Sequence, residues 1–158
     1  MTVENPLWLF ACNFYRKPGI AAALLALQDS AGLNVNLMLT AIWLGRQQLA
    51  WSPEQLQQLL ATLTPTDAVL LPLRQARRAL KKLDDASLYA QAQQLELAIE
   101  QQQIAGLYTL CQQLSWKNAD SACSHANMEA YFAGFADITH HPLLQNLLNL
   151  IEQAESHG

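Results

Sequence analysis

β-branched residues are scarce in this sequence: three Val, six Ile and seven Thr stand among 158 positions. Strands draw on those side chains, so their shortage excludes a sheet-based fold. Long apolar runs are missing too. Residues Ile20 to Leu27, and Leu37 to Leu44 with one Thr inside, fall well short of a bilayer span. Cys12, Cys111 and Cys123 contain no CxxC spacing, and an odd set of this kind suits reduced thiols buried as small hydrophobes rather than a disulfide framework. Ahead of its first apolar residues the chain carries Glu4 and no Lys or Arg, so no secretory or transit leader is expected and the expected location is the cytoplasm. No Gly-rich phosphate loop, nucleophile elbow or HExxH pair occurs, which removes support from the familiar enzyme classes.

What the chain does contain is 30 Leu, 24 Ala and 17 Gln, residues that lose little in a helix. The fold class expected is therefore all-α, and an apolar content of 51% excludes disorder. A net charge of −4 and a pI near 5.4 argue against a surface given over to nucleic acid or anionic lipid.

Local signals divide the chain into helices. Asn5-Pro6 reads as N-cap and first helical position, with Leu7, Trp8, Ala11, Cys12 and Tyr15 on one face up to a turn at Pro18-Gly19. The next helix is apolar nearly all round and stops at Gly32, so it reads as central, with alanines at 21, 22, 23 and 26 allowing close approach. Asn34 or Asn36 caps a third, again apolar on most sides. Ser52-Pro53-Glu54-Gln55 is a capping box, Thr64-Pro65-Thr66-Asp67 repeats the start signal, and Pro72 implies a kink or restart. Asp84-Asp85 precedes the longest helix, from Ala86 to about Leu114, whose apolar stripe shifts at Gln101-Gln102-Gln103 as if it changes partners. Met128 to Phe135 forms a short aromatic helix, and His141-Pro142 opens a final one carrying Leu143, Leu144, Leu147, Leu148 and Ile151. With no repeat or linker, residues 1–158 read as one domain, an irregular bundle of seven or eight helices.

The first third carries Trp8, Tyr15, Pro18-Gly19, Leu27-Gln28-Asp29, Gly32, Val35-Asn36 and Trp43, in the pattern W-x6-Y-x2-P-G-x7-L-Q-D-x2-G-x2-V-N-x6-W. Further on come Pro72-Leu73-Arg74 with Arg77, Arg78 and Lys81, then Leu95-Glu96-Leu97 to Glu100-Gln101. Together these resemble a family of small bacterial proteins known as conserved hypothetical, with a domain of unknown function. The resemblance covers roughly residues 7 to 115 and leaves the tail from 116 to 158 unmatched. It implies no activity, cofactor or catalytic residue.

Two clusters are candidate sites. Tyr15, Gln28, Asp29 and Asn36 put polar groups where two apolar helices meet, and a carboxylate there needs a partner. Asp29 either points with Tyr15 and Gln28 into a ligand pocket, or bonds free amides at the next helix start together with Asn34 or Asn36 while Gln28 closes the helix before. The second cluster is basic: Arg74, Arg77, Arg78, Lys81 and Lys82 hold five of the nine cationic residues within nine positions. It forms either a grip for an acidic partner or phosphate, or a face paired internally by a hairpin that sets Arg74 near Glu96. No aromatic residue interleaves the charges, which disfavours nucleic acid. Asp137, His140 and His141, with Cys123 and His125 upstream, match no zinc spacing, so no metal site is expected. Trp8, Trp43 and Trp51 either line a cofactor pocket or belong to the core, and the core is the commoner use, so no cofactor is expected.

The function expected from this balance is non-catalytic binding of an unknown protein partner through the basic helix face, without a membrane. The alternative is a small-molecule binder or enzyme with a pocket between the first three helices. Self-association as a homo-oligomer through the C-terminal helix is a third.

Overall fold

The computed structural model describes residues 4–157, and its architecture is an all-α irregular bundle. Seven helices run in the order α1 (Pro6–Tyr15), α2 (Ile20–Ala31), α3 (Val35–Arg46), α4 (Pro53–Leu80), α5 (Ala86–Gln113), α6 (Ser124–Phe135) and α7 (His141–His157). One antiparallel pair of two-residue strands, β1 (Leu49–Ala50) and β2 (Lys117–Asn118), ties the turn after α3 to the turn after α5.

Helix starts sit where side-chain acceptors meet free amides. The Asn5 Oδ1 accepts from the Trp8 amide at 2.8 Å, with Pro6 as the first helical residue. Ser52 and Gln55 exchange both bonds of a capping box. Asp85 accepts from Ser87 and Leu88 at the head of α5. Gly32 ends α2 at φ +73°, a left-handed conformation that costs glycine nothing.

The structure corrects the expected break inside α4. This helix runs unbroken for 28 residues through Pro65 and Pro72. The two prolines stand seven residues apart, two helical turns, so both lie on the outer face. The carbonyls they leave without a helical donor belong to Ala61 and Ala68, both exposed, where solvent can supply the donor.

The centre of the bundle is α3, not the alanine-rich α2: nine of the twelve α3 residues are buried, against four in α2. Among the four alanines expected to admit a neighbour, only Ala23 is buried. The close approach falls instead at Gly45, whose carbonyl accepts from the Cys123 amide at 2.9 Å as α6 begins. Asn127 of α6, 1% exposed, ties the crossing by donating to the Ala41 and Leu49 carbonyls and accepting from the Trp51 amide.

Helix α7 packs against α2 and α6 with Leu144, Leu147, Leu148 and Ile151 in the core. The leucine face expected to pair with a second copy is thus covered within the chain. No helix among the described residues is long and apolar enough to cross a membrane.

Burial has a consequence at alkaline pH. It pushes the Cys111 thiol from 9.0 up to about 12 and the Tyr131 phenol from 10.0 up to about 12. Both are neutral when protonated, so the fold holds its protons while the unfolded chain loses them first. Stability is present in full below the unfolded values and falls as pH rises toward the folded ones. Urea titrations from pH 8 upward should show a loss of about 3 kcal/mol by about pH 10.5. A flat profile across that interval contradicts the burial of both groups.

Candidate functional site

Helices α4 and α5 form an antiparallel hairpin, and α1 lies across α5 with α2 and α3 beside it. Between them opens a cavity of about 650 Å³, bounded by α1–α3 on one side and the hairpin on the other. The α1 sequence shows how one helix serves both the core and this space. Leu7, Ala11 and Phe14 are buried, while Trp8, Cys12 and Tyr15, at steps of four and three along the next stripe, border the cavity half-buried. Val35 and Leu39 of α3 and Ile104 of α5 complete an apolar floor.

Tyr15, Gln28, Asp29 and Asn36 all border this cavity, and so do Arg74, Arg77 and Arg78, so residues of two clusters read separately in the sequence meet at one cavity. Lys81 and Lys82 stay outside it: the Lys81 ammonium lies 5.5 Å from the Tyr89 ring centre, and Lys82 is exposed in the turn after α4.

The pairing differs in register from the expected Arg74–Glu96 contact. Arg77 Nε binds both Glu96 oxygens, at 2.8 and 2.9 Å, and Arg77 Nη1 donates to the Tyr89 hydroxyl at 3.0 Å. Arg74 instead meets Glu100, one turn further along α5, loosely at 3.5 Å. Arg78 and Asp29 pair at 3.7 Å, both 59% exposed at the mouth. The basic stripe is therefore divided: the Arg74 and Arg77 side chains are only 15% and 20% exposed, whereas Arg78, Lys81 and Lys82 are exposed.

Among the described residues Asp29 bonds no helix-end amide; the cap of α3 is Asn34, whose Oδ1 accepts from the Leu37 amide at 2.9 Å. Asn36 has a different task. Its side chain donates to Gln103 Oε1 at 2.9 Å, Asn34 donates to the same oxygen at 3.1 Å, and Gln103 Nε2 donates to Thr66 and Asp67 at 2.7 and 2.9 Å. Gln103, 2% exposed, is thus a buried hub joining α3, α4 and α5 beneath the cavity. The shift of the α5 stripe at residues 101–103 marks its place, because α5 there begins to contact α3.

Electrostatics single out the end of the cavity near Glu100. Burial raises the Glu100 carboxyl above the usual range; Arg74 acts the other way, and the Glu96 charge adds to the rise. The Tyr15 phenol is raised by burial and then by the Glu100 charge, and the Cys12 thiol is raised by burial, against Arg16. Neither proton-bearing group is primed as a nucleophile.

Asp137 accepts from the Thr139 amide, and His141 lies edge-on to Phe132. Among the described residues no three His, Cys, Asp or Glu side chains gather as metal ligands. Trp43 packs on Tyr108 and Trp51 on Tyr131, which leaves Trp8 as the tryptophan at the cavity.

Residues 6–107 match the profile of a family described as a protein of unknown function (DUF2390), and over so large a part of its length the chain belongs to that family. The α1–α3 wall and the Arg74–Glu100 end of the hairpin all fall within the matched residues. No curated protein and no solved structure matches the chain.

Proposed function

We propose that this member of the family is a binding protein for a small organic molecule, held between α1–α3 and the α4–α5 hairpin. One observation carries the proposal: a cavity of about 650 Å³ brings an apolar floor together with Tyr15, Gln28, Asp29 and Asn36 of one sequence cluster and Arg74, Arg77 and Arg78 of the other. Pockets for small ligands run to about 300–1,000 Å³, apolar with a few placed polar groups. Binding is favoured over covalent chemistry because the Cys12 thiol is held protonated. The setting is the cytoplasm, which three unpaired thiols suit.

The test is a thermal-shift screen of small metabolites followed by amide NMR on the full chain. Ligands are expected to move resonances of Trp8, Tyr15, Val35 and Glu100. Val35→Phe, which puts a ring into the cavity, should abolish these shifts while the protein stays folded. Hits that bind Val35→Phe undiminished, or a screen without hits, overturn the proposal.

A second reading keeps a protein partner, favoured by Leu71, Leu83, Leu88 and Leu95, which stand 41–58% exposed along the hairpin. Its surface is smaller than the basic stripe suggested, since Arg74 and Arg77 face inward. If Leu71→Glu with Leu95→Glu leaves every cross-linked partner in place, that reading is lost.

A further inference from the structure

The α4–α5 hairpin carries two arginine–glutamate rungs one turn apart, and they are not alike. In the Arg77–Glu96 rung both carboxylate oxygens are met at 2.8 and 2.9 Å, and Tyr89 takes a further guanidinium proton. In the Arg74–Glu100 rung one contact at 3.5 Å joins the two groups, although both border the cavity and their side chains are only 15% and 32% exposed. Close beside it the Tyr15 hydroxyl, half-buried, makes no hydrogen bond within the described chain. The open rung therefore offers guanidinium donors, a carboxylate oxygen and a hydroxyl to whatever enters.

We infer that the cavity takes the zwitterionic head of an α-amino acid with an apolar side chain, its carboxylate on Arg74 and its ammonium on Glu100. The inference rests on the small-ligand reading above and names the class of molecule. A guanidinium and a carboxylate side by side are matched in charge and hydrogen bonding by a carboxylate and an ammonium one carbon apart. A purely anionic head would also face Glu100, and a purely cationic one would also face Arg74. Tyr15 supplies a hydroxyl that donates to the carboxylate. The floor of Ala11, Val35, Leu39 and Ile104, walled by Trp8, suits a branched aliphatic or aromatic side chain. Burial raises the Glu100 carboxyl in spite of Arg74 and Arg77, and an ammonium brought against it would oppose that rise. At the rim, Arg16 and the exposed Arg78–Asp29 pair lie where a ligand enters.

The experiment is calorimetric titration of the full chain with L-phenylalanine and L-leucine, set against 3-phenylpropanoate, which lacks the ammonium, and phenethylamine, which lacks the carboxylate. The amino acids should bind, and each one-ended analogue should bind about tenfold or more weakly than L-phenylalanine. Arg74→Gln should weaken L-phenylalanine by a similar factor and leave phenethylamine little changed. Glu100→Gln should weaken L-phenylalanine and spare 3-phenylpropanoate. If either analogue matches L-phenylalanine, or if both variants lose all probes equally, the zwitterion assignment is overturned and the pocket stands. It is overturned alone if amino acids fail while other small molecules from the screen occupy the cavity; if nothing binds, both proposals fall. The comparison of probes on the unaltered protein decides the matter even where a variant does not fold.

Discussion

Gly45→Ala should destabilise the protein by about 4 kcal/mol and lower its melting temperature by about 10 °C. The sign is the informative part. In an open helix the same replacement stabilises by about 1 kcal/mol, because alanine loses less backbone freedom than glycine. At Gly45 an added methyl would overlap the backbone nitrogen and Cα of Ser124 and lie 2.7 Å from the Cys123 carbonyl carbon. Backbone atoms cannot rotate aside as a side chain can, so α3 and α6 would have to separate. That would strain the Cys123 amide bond to Gly45 and the Ser124 hydroxyl bond to the Ile42 carbonyl. Gly134 is the control: an added methyl there meets nothing within 4 Å, and Gly134→Ala should raise stability by about 0.5–1 kcal/mol. Urea unfolding of both variants measures the contrast, and equal effects at the two positions would falsify the close crossing of α3 and α6.

Gln103→Leu should cost about 3 kcal/mol, because the loss is not one hydrogen bond but the partners of several buried groups. Asn36 loses its acceptor, Asn34 one of two, and Asp67 one of its two side-chain donors. Asn34 and Asn36 border the cavity, so ligand affinity should fall with stability. Gln102→Leu, exposed one residue away, should change stability by less than about 0.5 kcal/mol. A small effect at Gln103, matching that at Gln102, contradicts the hub.

The helix starts and stops at Asn5-Pro6, Gly32, Ser52-Pro53 and Asp85 are legible in the sequence because each is decided within about four residues by a side chain reaching its neighbours' amides or by a tolerated φ. Pro65 and Pro72 mislead because a proline stops a helix only where the freed carbonyl has no other donor, and that depends on which face meets water. Pairing suffers the same limit. Four basic residues at helical spacing predict a charged face, and a turn at Asp84-Asp85 predicts a hairpin, yet whether Arg74 meets Glu96 or Glu100 depends on where α5 sits along α4, one turn either way. Gln103 is one glutamine among 17 by composition, and only the arrival of α3 at its side chain makes it a buried hub.

Composition and short-range chemistry alone thus determined that this chain is all-α, where most of its helices begin and end, and which polar residues stand out against the apolar background. The tertiary structure decided that α3 rather than α2 is the centre, that α6 crosses it at Gly45, and that Tyr15, Asn36, Arg74 and Glu100 border one cavity. The division follows from range. Caps and propensities are energies between residues a few positions apart, whereas a cavity is the space left when helices distant in sequence pack, and its walls are set by how those surfaces fit.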